Sequence, residues 1–331
     1  MPAVMTANQV VHEDLSDALI LADVRNTPFS SRIKKGNRLT NMLFSWTLTD
    51  MNGRKTTPPP ENADVTAFES DQQNRVYNRG ERFWRTPRVS VIADKVNDSA
   101  GNFGKYNEQV KKKIEEQKRD VEFCLLSDQD SNDDNGTVGS RFLGLGRVIN
   151  DGTLAFGDAQ TAIPAAYRTP AAQIYTGAID ALDESVFVGI MKSRYDLLGQ
   201  TTELVLFAGS GLKAHISEFF GKYVPNKANY TVVVRTQAEA IDSRKFAAYG
   251  VDVYEGDFGT FEIVLCPFIA DQYRGYGVNM DYVQMRQVMY CDHTELPYLG
   301  GGYSGLIDSI LGWEFGDPRG HFKIAATPPV P

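Results

Sequence analysis

From Phe103 to Leu126 the apolar residues Phe103, Tyr106, Val110, Ile114, Val121, Cys124 and Leu125 recur at spacings of three and four, with Gln117 on the same stripe. Lysines, arginines, glutamates and Asp120 fill the positions between them. One narrow apolar stripe on a charged cylinder predicts an amphipathic helix over 103–126. Glu108 with Lys112, and Glu115 with Arg119, stand four apart in the favourable order. Asn97, Asp98, Ser99 and Asn102 offer N-caps, and the Ser/Asp/Asn/Gly run from Ser127 to Gly136 stops the helix. Its length of roughly 35 Å exceeds the radius of gyration of about 20 Å expected for a compact chain of this size. It is long enough to act as a spine.

A period of two replaces this pattern from Met42 to Asp50, where Phe44, Trp46 and Leu48 face one side and Ser45, Thr47 and Thr49 the other. That alternation predicts a half-buried strand. A second strand is expected at Val89–Ala93. Between them lie about forty residues with little core-forming capacity, a length uncommon inside compact domains. Phe68, Tyr77, Phe83 and Trp84 in that stretch need cover from a neighbour. Met1–Thr40 reads as an arm, with a short helix over Val10–Val24 broken at Thr27-Pro28.

Beyond the spine, Ser131–Thr169 is rich in Gly, Asn, Asp and Ala around one apolar island, Phe142–Ile149. Helices are predicted at Pro170–Leu182, Val186–Leu198 and Gly211–Phe220. Strands are predicted at Glu203–Ala208, Tyr230–Thr236, Val251–Tyr254 and Gly259–Pro267. After a mixed stretch at Val278–Met289 comes a glycine-rich turn at Leu296–Gly302. Closing strands follow at Gly305–Phe315 and His321–Ala325, then a loose proline-rich tail from Thr327 to Pro331. This order reads as an elongated α+β protein.

Composition narrows the function. The 331 residues are 42% hydrophobic and 23% charged, as in a folded soluble protein. No apolar run is long enough for a bilayer, and the N-terminus shows no secretory pattern. Cys124, Cys266 and Cys291 fit no metal spacing and read as reduced thiols. A net charge of −8 argues against a dedicated nucleic-acid binder. Within that acidic total, Arg25, Arg32, Lys34, Lys35 and Arg38 form one basic segment. Arg75, Arg79, Arg82, Arg85 and Arg88 form another, relieved by Glu81. Basic segments on an acidic chain suit contacts between copies of the same protein.

No set of residues converges on chemistry. Gly209-Ser210-Gly211-Leu212-Lys213-Ala214 follows a strand and opens a helix, as a dinucleotide-binding turn does. Yet the next strand ends in Val234-Arg235-Thr236, with no acid to hold a ribose. Cys291, Asp292, His293 and Glu295 cluster without a matching ligand pair. Ser304 lacks the final glycine of a nucleophile elbow, and Gly300–Gly302 lacks the Lys and Thr of a phosphate loop. No catalytic, cofactor or metal residue is assigned, and a structural role is expected.

The order of segments resembles tailed-phage major head (capsid) proteins with the Hong Kong 97-type fold, and within them a branch long filed as a family of unknown function. The resemblance is carried by Phe44-Ser45-Trp46 and Asp50, by Asn78 with Phe83, and by Thr86-Pro87-Arg88-Val89-Ser90. It continues through Glu108-Gln109, Lys112-Lys113, the run Glu116–Glu122 and Leu125-Leu126-Ser127. Arg141–Leu145, Tyr254–Gly259 and Leu296–Gly300 extend it over most of the chain from Pro28 to Phe322. The resemblance implies an N-terminal arm (1–40), an extended β-hairpin or E-loop (41–95) and a peripheral domain on the spine helix (96–199). An axial domain (200–290) and return strands with a C-terminal tail (291–331) complete it. Nothing before Asn41 is long enough for a fused scaffolding domain.

It further implies self-assembly into hexamers and pentamers of an icosahedral head, without enzymatic activity. The partners it implies are further copies of the chain, a portal, separate scaffolding or decoration proteins, and packaged double-stranded DNA bound without sequence specificity. The chain would be assembled in the host cytoplasm and would make no membrane contact. Arg25, Arg32, Lys34, Lys35, Arg38, Phe68, Arg75, Arg79, Arg82, Phe83, Trp84 and Arg85 are the expected contacts between subunits. Two other readings stay open: an encapsulin-like shell around cargo, and an NADP-binding enzyme through Gly209–Ala214.

Overall fold

The computed structural model describes residues 27–51, 57–58, 60–62, 64, 68, 70, 73–92, 105–201, 203–222, 253–298 and 300–329. The expected helix at Val10–Val24, the strand at Tyr230–Thr236 and Arg25 lie outside the described residues.

The chain enters through helix α1 (Pro28–Arg32) and strand β1 (Lys34–Lys35), then β2 (Leu43–Thr49), β3 (Gln73–Arg79), β4 (Glu81–Arg85) and β5 (Arg88–Ser90). The expected spine is α2 (Lys105–Leu126), about 33 Å of helix. Its stripe is buried at Gln117, Val121 and Leu125, and the Gln117 amide donates to the Phe83 carbonyl at 2.7 Å. Helices α3 (Leu145–Val148), α4 (Glu184–Leu198) and α5 (Ser210–Lys222) follow, interleaved with β6 (Ile174–Tyr175) and β7 (Leu204–Ala208). The remaining strands are β8 (Val253–Gly256), β9 (Gly259–Leu265), β10 (Arg274–Val278), β11 (Gln284–Glu295), β12 (Gly302–Glu314) and β13 (Phe322–Ala325).

Two sheets carry the fold. In the first, β1, β11, β12 and β4 lie in that order, and β5 also pairs with β12. One face of β12 presents Ile307, Ser309, Leu311 and Trp313, all fully buried. Leu311 and Trp313 share a core with Val121 and Leu125 of α2 and with Phe29 of α1. The second sheet runs β6-β13-β10-β7-β9-β8. The alternation of β7 divides two cores: Val205 and Phe207 join the spine's core, while Leu204, Leu206 and Ala208 meet α4 and α5. A hydrophobic run with no polar face is what a strand covered on both sides requires.

The structure differs from the sequence pattern in several places. The stretch after β2, in which the residue pattern alone shows no strand before Val89, holds β3 and β4. β3 pairs with β2 from Leu43↔Arg79 to Thr49↔Gln73, and β4 pairs antiparallel with β12. Pro170–Leu182 is not a helix but two single 3-10 turns around β6. Its main chain is taken by the tail: Thr327 donates to the Gly177 carbonyl at 2.9 Å, and Ile179 donates to the Thr327 carbonyl at 3.0 Å. Tertiary pairing there overrides helix propensity, and it also ties down Thr327 in the tail expected to be loose. Finally, β6 and β13 lie in one sheet with β7, β9 and β10. That sheet gathers strands from three of the expected segments.

Candidate functional site

The β2–β3 hairpin is anchored along its described stem. Gly312 lets the stem lie against β12, since a Cβ there would come within 2.6 Å of the Phe44 ring and 3.0 Å of the Arg79 carbonyl. Trp46 meets Phe315 edge to face at 4.7 Å and donates its indole N–H to the Gly316 carbonyl at 3.0 Å. Asn78 donates to the Trp313 carbonyl at 2.8 Å and accepts from the Leu143 amide at 3.0 Å. At the far end Arg319 holds Asp50 at 2.8 Å while lying over the Tyr167 ring, which keeps the Asp50 carboxyl below its usual range. The alternating face of β2 is thus covered by its own body rather than left for a neighbour. Past Asp50 the cover ends: Met51 is 98% exposed and Phe68 89% exposed.

The basic residues divide in the same way. Arg79 is buried and engages Asp158 at 2.6 Å, Asp133 at 2.7 Å and Gln160 at 2.9 Å. Arg82 lies on Asp308, and Arg85 grips Asp120 of the spine at 2.7 Å with Glu116 beside it. Arg32 pairs with Glu262 and Lys34 with Asp281. Phe83 is buried against Phe142. These side chains are occupied within the chain, because strand pairing brings them onto carboxylates and rings distant in sequence. Arg32, Lys34 and Arg82 stay exposed although paired, and the exposed expected contacts outside these ion pairs are Phe68, Trp84 (63%), Lys35, Arg38 and Arg75. The last three have no carboxylate partner among the described residues. Trp84 stands on the sheet face turned away from the spine, opposite Asp308 in register.

Beneath this surface lie two carboxylates without a cation directly on them. Glu81 accepts from Gln129 at 2.7 Å and from the Phe142 amide, and burial pushes its carboxyl up to about 7. Glu122 of the spine accepts from the Phe29 and Ser30 amides at 2.8 and 2.7 Å, tying α1 to α2. Burial raises its proton affinity too.

The catalytic candidates do not assemble. At the β7–α5 turn the main-chain carbonyls of Asp271 and Gln272 crowd Gly209, and the Leu212 amide donates to Gln272 at 2.9 Å. A pyrophosphate would need that space and that amide. Cys291 and His293 lie on β11, where His293 hydrogen-bonds the Tyr106 hydroxyl at 3.0 Å. No metal-binding cluster occurs among the described residues. All three cysteines are free, and burial pushes Cys124 and Cys266 up to about 12. His321 is fully buried with both ring nitrogens bonded, and burial lowers it to about 4. No helix among the described residues is long and apolar enough to cross a membrane.

A sequence model of one protein family, described as SU10 major capsid protein, matches residues 3–328. No curated protein sequence matches the chain. Among solved structures, the chain is similar to the capsid of cyanophage P-SCSP1u, with a TM-score of 0.65 at 8% identity over 99% of this chain and 96% of that one. It is similar to the capsid of a native GTA particle, with a TM-score of 0.63 at 11% identity over 96% of each chain. The cyanophage A-1(L) capsid gives a TM-score of 0.62 at 11% identity, over 96% of this chain and 97% of that one. At such identities the likeness is one of fold.

Proposed function

The chain belongs to the SU10 major capsid protein family, and from that premise we propose that its copies close head to tail into hexamers and pentamers that tile an icosahedral head around double-stranded DNA. Its role is structural, that of a capsid component of the virion. The assembly surface we assign takes in what the described residues leave open: Met51 and Phe68 beyond β2, and the Trp84 face of the first sheet. On this reading the tip of one copy, with Met51 and Phe68, crosses onto the Trp84 face of the next. Arg38 and Arg75 meet acidic surface. Each contact can be modest, because every copy is held by several neighbours.

The peripheral region around α2 and the region from about residue 200 supply the outer and axial contacts. A portal and separate scaffolding or decoration proteins are the further partners. A net charge of −8 suits the container. A strongly basic wall would hold phosphates by counterion release and slow packaging. No catalysis, cofactor or membrane contact is assigned to it.

The observation that carries this reading is the family match from residue 3 to residue 328, which takes in arm, hairpin, spine and both sheets. Sedimentation velocity tests it. Megadalton particles, or rings in exchange with monomer, are expected. A stable dimer that binds a nicotinamide nucleotide would overturn it.

A further inference from the structure

At the far end of the β11–β12 ribbon, beside the N-terminal end of the spine, is a groove of about 330 Å³. Tyr106, Tyr298 and Tyr303 fan around it, with ring centroids 6.3 Å apart for Tyr106–Tyr303 and 6.2 Å for Tyr298–Tyr303. Glu295, Asn107 and Ser304 supply oxygen acceptors on its walls. The floor depends on Gly305, where a Cβ would collide with both the Tyr106 hydroxyl and the His293 ring. Tyr298 remains 60% exposed and Tyr303 43%. Three tyrosine rings and one carboxylate around a groove offer the chemistry of a cation site. Among the described residues lining it there is no lysine or arginine.

We propose that this tyrosine cage receives an arginine side chain from a second copy of the chain. A guanidinium suits it better than an ammonium: the plane stacks on Tyr303 while its N–H groups donate to Glu295, Asn107 and Ser304. Of the arginines among the expected contacts, Arg38 and Arg75 are the candidates, since both are exposed and neither meets a carboxylate among the described residues. The inference rests on the capsid reading, which supplies the second copy.

The test places the photocrosslinker p-benzoylphenylalanine at position 298 and maps the linked peptide in assembled particles. A peptide containing Arg38 or Arg75 of another copy is expected. Alongside it, Tyr303→Ala and Glu295→Gln raise the concentration for half-assembly by roughly threefold to thirtyfold, whereas Tyr303→Phe, which keeps the π face, stays near wild type. If the wild type assembles while crosslinks avoid arginine peptides, or all three variants assemble equally, the cage proposal fails and the capsid reading stands. If the wild type never assembles, alone or with a scaffolding protein, the capsid reading fails, and this one with it.

Discussion

Replacing Glu81 by glutamine removes a charge while keeping an oxygen to accept from Gln129 and Phe142. The Glu81 carboxyl sits at about 7 in the folded chain against 4.5 when free, with burial the first cause. The folded state therefore binds a proton that the unfolded state has lost between those values. The group's contribution to stability is complete below pH 4.5 and disappears as pH rises through 7. Two and a half units correspond to about 3 kcal/mol of penalty at pH 8, and to about 1 kcal/mol or less near pH 5. Glu81→Gln escapes that penalty. Urea unfolding of unassembled monomer should show the variant more stable than wild type at pH 8, with the gap closing towards pH 5. A gap that does not change with pH, or a variant less stable at pH 8, would refute the reasoning.

Further consequences follow from where each side chain lies. Trp84→Ala leaves monomer stability within about 0.5 kcal/mol but lowers assembly at least tenfold, measured by light scattering at fixed concentration. Trp313→Ala removes a fully buried ring that donates to the Leu143 carbonyl at 2.8 Å, and it costs about 3–5 kcal/mol in the same urea assay. Arg79→Ala strands the mostly buried Asp158 carboxylate and costs about 3–5 kcal/mol. Arg85→Glu sets a third acid beside Asp120 and Glu116, so it lowers the monomer's melting temperature before any assembly defect is read.

Elements whose pattern is local were legible. The spine's three-and-four spacing gave its end at Leu126 correctly, and Phe44, Trp46 and Leu48 gave β2. Short, charged strands were not. Arg79, Arg82 and Arg85 look solvated in sequence because their carboxylates lie at Asp158, Asp308 and Asp120. Pairing of β4 with β12 and packing on the spine bring Arg82 and Arg85 to their carboxylates, and the loops after the spine bring Asp133 and Asp158 to Arg79. Phe83 was misjudged for the same reason: its exposure depends on which face of β4 meets Phe142. On the exposed surface, Trp84 and Phe68 were legible as apolar residues with little local cover. The tyrosine cage was not, since Tyr106 and Tyr303 are joined only by the fold. The one available signal was the pair of tyrosines flanking Gly300–Gly302.

The central claim is that copies of this chain complete one another's surfaces. Electron cryomicroscopy of the purified particles tests it most directly. Closed shells or rings, with Trp84 covered by the hairpin tip of an adjacent chain, are the predicted result. Isolated molecules at high concentration, with Trp84 and Phe68 still facing solvent, would contradict it.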